Sequence, residues 1–116
     1  MNPMLARYRL APVALALAIS LAACGKDDPS AMVGSARDYL AKNDNAAAVI
    51  QLKNALQQDP NLAEARLLLG RALLGSGDPV GAQTELQKAL DLGSSPNEVV
   101  PLMVRSRLAQ GQAKEV

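Results

Sequence analysis

The chain of 116 residues has no histidine, tryptophan or phenylalanine, only one cysteine, and only two tyrosines, Tyr8 and Tyr39. Without histidine there is no side chain whose ordinary pKa suits acid–base work near neutrality, and no Ser–His or Cys–His pair. Cys24, standing alone, has no partner for an intramolecular disulfide. The scarcity of aromatics removes any platform on which bases or sugar rings would stack. No cluster of metal-ligand residues and no glycine-rich phosphate loop occurs; Gly75-Ser76-Gly77 reads as turn chemistry, and the acidic pair Asp27-Asp28 as solvated. Formal net charge is +1, so no global field points to nucleic acid. No catalytic residue, cofactor, metal or nucleic-acid partner is expected. The one enzymatic alternative is that these residues form a non-catalytic N-terminal part of a larger enzyme.

What is present begins with a leader. Arg7 and Arg9 precede an uncharged apolar run from Leu10 to Leu21, shorter than the ~20 residues of a transmembrane helix and laid out as a secretory signal. An uncleaved inner-membrane anchor is the alternative, which Pro12 and the small-residue end disfavour. The run closes on Leu21-Ala22-Ala23-Cys24, then Gly25. This resembles a bacterial lipobox. The resemblance implies a diacylglycerol thioether on Cys24, cleavage after residue 23, and acylation (palmitate) of the new amine. Several acyl chains on one residue anchor stably where one chain alone is marginal. Gly25, rather than Asp, after the cysteine favours the outer membrane, with the chain facing the periplasm. Residues 1–23 are thus the signal peptide, and 24–29 the lipidated cysteine and a short tether. Removing Arg7 and Arg9 leaves ten basic against eleven acidic residues.

From residue 30 onward the chain repeats itself every 34 residues. Asn43-Asp44, Gly77-Asp78 and Gly111-Gln112 lie in register, as do Leu40, Leu74 and Leu108, and Arg37, Arg71 and Arg105. Small residues recur at Ala36 and Gly70, Ala48 and Ala82, and Ala55 and Ala89; Leu52 matches Leu86. A helix–turn–helix period of this length is the tetratricopeptide (TPR) signature, so an all-α solenoid of about two and a half repeats is expected: 30–61, 62–95 and an incomplete 96–116. The small residues would sit where helices cross closely, and a larger side chain there would overpack. Met32 and Arg66 stand where the TPR pattern has tryptophan, and the third copy departs further, with Val104 at the small position and Arg107 at the large one.

Local signals place five helices and the start of a sixth. Ser30 is a candidate cap for the first, which runs to about Lys42. The second spans Asn45 to Gln58, stopping at Asp59-Pro60. Asn61 is a candidate cap for the third, which runs to about Gly75. Asp78 caps the fourth, with Pro79 at its first position, and Gly93 suits its left-handed end. The fifth runs from Pro96 or Asn97 to Gln110, a turn follows at Gly111-Gln112, and the sixth begins near Ala113. No polar capping face of the kind terminal repeats carry is visible in the sequence.

The order lipobox, tether, TPR array, together with Ala47-Ala48-Val49-Ile50-Gln51-Leu52-Lys53-Asn54-Ala55-Leu56-Gln57-Gln58-Asp59-Pro60 and Glu64-Ala65-Arg66-Leu67-Leu68-Leu69-Gly70, resembles the N-terminal portion of the TPR-repeat lipoproteins of the PEP-CTERM/exosortase system (PrsT type). That resemblance implies a membrane-anchored periplasmic scaffold for exopolysaccharide export or PEP-CTERM protein sorting, with many more repeats, of which this chain would be the first part. A pilotin-like or outer-membrane-assembly TPR lipoprotein is the alternative machine.

By the TPR pattern the first helix of each repeat lines a concave groove. Arg37, Arg71 and Arg105 form one row there and Leu40, Leu74 and Leu108 another, with Ser30, Glu64 and Glu98 nearby. Guanidinium groups about 10 Å apart would take carboxylates bidentately. The expected partners are proteins or peptides with acidic segments or a C-terminal carboxylate, or an acidic (uronic) polysaccharide. The competing reading is a solvated face, with Arg71 paired to Glu64 or Glu98 and Arg37 near Asp38.

Overall fold

The structure, a computed structural model, describes residues 27–114, with side chains up to residue 111. The leader, Cys24 and its flanks lie outside the described residues. The described chain forms five helices: α1 (Pro29–Ala41), α2 (Asn45–Gln58), α3 (Ala63–Gly75), α4 (Pro79–Asp91) and α5 (Pro96–Lys114). Each packs on the next, and α1 also touches α3 as α3 touches α5. The odd helices therefore make an inner layer and the even ones an outer layer, as expected of a TPR solenoid.

The turns arise from the sequence repeat. After α1, Asn43 adopts φ 58°, and after α3 and α4 Gly77 and Gly93 adopt 82° and 97°. In each case the next two amides fold back on the helix end: Asn43 and Asp44 donate to the carbonyls of Leu40 and Tyr39, Gly77 and Asp78 to Leu74 and Leu73, and Gly93 and Ser94 to Leu90 and Ala89. This is the Schellman arrangement, which needs a residue tolerant of the left-handed region. Asp44 and Asp78 then cap the following helices, accepting from the amides of Ala47 (3.1 Å) and Gly81 (2.9 Å). One short sequence, a left-handed residue followed by Asp, both ends a helix and starts the next.

Three expected boundaries differ. The first helix begins at Pro29 behind Asp28 rather than with Ser30 as its cap, because proline's fixed φ suits the first helical position. Leu62, not Asn61, precedes the third helix, and it makes no side-chain cap; the Asn61 amide instead donates to Asp59 Oδ1 at 3.1 Å in a local turn. The expected break at Gly111-Gln112 is absent: α5 runs on to Lys114 and there is no sixth helix among the described residues. Gln112 lacks the short carboxylate with which Asp44 and Asp78 start α2 and α4. Pro101 lies inside α5, where its missing N–H leaves the Asn97 carbonyl without a helical donor.

The recurrent small and bulky positions make the core. Ala36, Ala48, Leu52, Ala55, Ala82, Leu86 and Ala89 have no solvent exposure. A Cβ added to Gly70 would come within 2.6 Å of Leu86 Cγ and 3.4 Å of the Ala82 carbonyl, so α3 and α4 cross at the distance glycine allows. Leu52 and Leu86 are the largest of these buried side chains, each contributing about 1.5–3 kcal/mol by burial. Leu52 belongs to a cluster joining α1, α2 and α3, and Leu86 to one joining α3, α4 and α5. Because α3 enters both, the two clusters form one stack.

The two ends of the stack are unlike. On α3 the face turned toward the preceding repeat is Ala65, Leu68, Leu69 and Ala72, all buried; on α5 it is Val99, Leu102, Met103 and Ser106, buried or nearly so. The same register positions on α1 are Ala31, Gly34, Ser35 and Asp38, small or polar, with Asp38 exposed. A polar end face is therefore present at α1, contrary to the expectation of none. It is invisible in the sequence until the register says which face of α1 would meet a predecessor.

Candidate functional site

The inner layer encloses an open cavity of about 860 Å³. Leu67, Leu68 and Leu102 make its floor, all nearly buried, and Leu40 and Leu74 are half-exposed on its wall. Arg37, Arg71 and Arg105 line it from α1, α3 and α5. The turn residues Asn43 and Asn45 close one end, with the Asn45 side chain pressed against Gly75, where an added Cβ would meet it at 2.5 Å. The structure thus brings five of the six expected groove residues together. It does not bring Leu108, which is 63% exposed. Leu40 faces α3 and Leu74 faces α5, whereas among the described residues no helix follows α5 to fold over Leu108.

The arginine row is not uniform. Arg37 is bonded through Nε (3.0 Å) and Nη2 to the Glu64 carboxylate across α1 and α3. The sequence suggests Asp38 as its surroundings and offers Glu64 to Arg71. The usable signal is the spacing: Arg37 and Glu64 are 27 residues apart, as are Arg71 and Glu98. That second pair lines the same cavity but forms no ion pair, and neither does Arg105; the ion pairs among the described residues are Arg37–Glu64, Arg66–Glu85 and Lys88–Glu85. The cavity wall therefore presents one neutralised pair at the α1 end and, toward the α5 end, two guanidinium groups and the Glu98 carboxylate that are in no ion pair among the described residues.

Residues behind the groove hold the layers in place. Arg66, where the TPR pattern has tryptophan, donates to the Pro60 carbonyl through Nη2 (3.0 Å) and to Glu85 Oε2 (2.7 Å). It ties the loop between α2 and α3 to α4. Lys88 adds a second bond to Glu85 at 3.0 Å. Burial alone would raise the Glu85 carboxyl, but the hydrogen bonds and charges of Arg66 and Lys88 outweigh it and hold it below its ordinary value. Ser106, which no sequence motif marks, is fully buried and donates to the Pro79 carbonyl at 2.6 Å, fixing α5 against the start of α4. Its register partners are Ala72 and Asp38, so the available signal is a small polar residue at a position buried in α3.

Chemically, the cavity joins an apolar floor to a charged wall in which three guanidinium groups outnumber the carboxylates of Glu64 and Glu98. That suits an extended chain carrying both apolar and carboxylate groups. Among the described residues no helix is long and apolar enough to cross a membrane.

No curated protein matches the chain. The tetratricopeptide repeat family matches residues 39–103, more than half of the 116 residues. That match spans α2, α3 and α4 whole, together with the end of α1 and the first part of α5. With its helix pairs stacked in two layers and its small residues at the crossings, this chain belongs to the tetratricopeptide repeat family.

Proposed function

We propose that the protein is a lipid-anchored periplasmic scaffold that holds an extended segment of a partner protein in its concave groove. The supporting observation is the cavity itself, in which Leu40, Leu74, Arg71 and Arg105 line a wall above an apolar floor. TPR solenoids bind along such faces rather than catalyse. Because Arg37 is held by Glu64, Arg71 and Arg105 are the groups that meet partner carboxylates. An acidic polysaccharide is the alternative occupant. The groove is tested by changing Arg37, Arg71 and Arg105 together to alanine in the full chain and measuring capture of envelope proteins. Lost capture with an unchanged helical circular dichroism spectrum supports the reading; unchanged capture rejects it.

The membrane attachment rests on Leu21-Ala22-Ala23-Cys24 and Gly25, and the outer membrane is its favoured destination. Cys24→Ser releases the chain from the membrane fraction if the thioether is the anchor. The resemblance of residues 47–70 to the PEP-CTERM/exosortase lipoproteins supports a role in exopolysaccharide export or protein sorting. Exosortase and polysaccharide-synthase genes beside this one support that role, and pilus genes there would replace it with the pilotin reading.

A further inference from the structure

The groove carries acid as well as base, and it carries them in a fixed order. Along α5 the cavity is lined by Glu98, Leu102 and Arg105, spaced by four residues and then three. That spacing keeps them on one face of the helix, with acid and base two turns, or about 10.5 Å, apart. The same order recurs along α3 in Glu64, Leu68 and Arg71. Each stripe thus runs from a carboxylate over the apolar floor to a guanidinium. On α1 the first place is held by Ser30, which has no charge.

The two carboxylates differ in what they meet. Glu64 is taken by Arg37 of the neighbouring stripe. Glu98, 34 residues on in the same register, lines the cavity in no ion pair among the described residues. It lies in the first turn of α5, where a carboxylate is favoured in its own right, but its place there also gives it a part in the groove. An occupant seated on Leu68 and Leu102 lies between the arginine row and Glu98, and so meets both. A uronic polymer has an acid on each ring and no cation, so it sets like charge against Glu98. A peptide that is acidic throughout does the same. Like-charge contacts of this kind reject wrong partners.

Resting on the groove reading above, we propose that the occupant is a protein segment of mixed charge, and that Glu98 is the residue that excludes polyanions. Carboxylates of the segment meet Arg71 and Arg105, a lysine or arginine meets Glu98, and apolar side chains lie between them on the leucine floor. The acid and base of the segment stand about 10 Å apart, which is three residues of extended chain at about 3.3 Å each. The α1 end takes no part in this choice, because Arg37 and Glu64 neutralise each other. Glu98 is exposed, so salt screens its effect.

The test titrates the full chain, in detergent at low salt, with three fluorescein-labelled probes read by anisotropy. The first is a peptide of glutamate, leucine and lysine, each lysine three residues from a glutamate. The second has glutamate in place of every lysine, and the third is an oligogalacturonate. The wild type should bind the first at least about fivefold more tightly than the others, the effect of exchanging repulsion for attraction at one exposed charge. Glu98→Gln should erase most of that preference with an unchanged helical spectrum. Asp38→Asn, which removes the same charge from the exposed front face, should leave it intact. Equal or tighter binding of the second or third probe, a preference that survives Glu98→Gln, or one that Asp38→Asn erases equally would overturn the mixed-charge proposal and leave the groove in place. Binding of no probe, or binding that survives Arg71→Ala combined with Arg105→Ala, would overturn the groove reading and this proposal with it.

Discussion

One register position separates the two ends of this molecule. It holds Asp38 on α1, Ala72 on α3 and Ser106 on α5; the first is exposed and the other two have no exposure. The backbone is the same helix each time, so the difference is whether a preceding repeat covers the site. At the front of the stack nothing among the described residues does, and a charge is tolerated. One repeat later the position is core. At the back the relation inverts: α5 carries Val100, Val104 and Leu108 exposed, with nothing over them among the described residues. A repeat sequence thus encodes location through its departures from the repeat.

Moving the front residue to the back should break the comparison most severely. Ser106→Asp places a carboxylate against the Pro79 carbonyl in a site with no exposure. An uncompensated buried charge costs about 3–5 kcal/mol, so urea unfolding should shift by that amount and α5 should detach first. The reverse change, Asp38→Ser, should stay within about 0.5 kcal/mol, as exposed substitutions do. Equal effects would mean that the two faces are not distinct.

Two helical glycines give the next contrast. Gly70→Ala drives a Cβ to 2.6 Å from Leu86 Cγ, and overpacking of this kind costs about 1–3 kcal/mol. Gly34→Ala, on the open front face with nothing within 4 Å, should instead stabilise by roughly 0.5–1 kcal/mol, since alanine is the better helix former. Thermal unfolding followed by circular dichroism reads both signs.

The smallest expected effect is in the middle of the stack. Arg66 and Lys88 hold the Glu85 carboxyl below its ordinary value of 4.5. A depressed carboxyl contributes stability above its unfolded pKa, lost as pH falls through the folded one. The wild type should therefore lose stability below about pH 4.5 more steeply than Glu85→Gln, and parallel acid-unfolding curves would remove the Arg66–Glu85 pair from the account.

Much of the fold is legible because its signals are local. Asn43-Asp44 and Gly77-Asp78 place two turns and two caps, and the small residues at Ala36, Gly70, Ala48 and Ala82 mark the crossings. The third turn misleads because Gly111 repeats only the first half of that signal, without the capping Asp. In the groove, five residues come from register alone. The Arg37–Glu64 pair does not, because it joins neighbouring repeats. Leu108 fails because its surroundings would have to come from a helix beyond α5. Ser106 escapes for a related reason: its burial belongs to the packing of α5 on α4, not to α5 itself.

The polar front has a consequence for placement in the cell. Cys24 stands five residues before Pro29, where α1 begins, and fully extended chain spans at most about 3.6 Å per residue. In the proposed anchored state the first helix can thus rise no more than about 18 Å above its lipid, a leash shorter than the bilayer is thick. The end nearest the headgroups is then the one with Ser35 and Asp38, which resists sinking into them. The exposed Val100, Val104 and Leu108 of α5 then lie at the far end of the described stack, away from the headgroups.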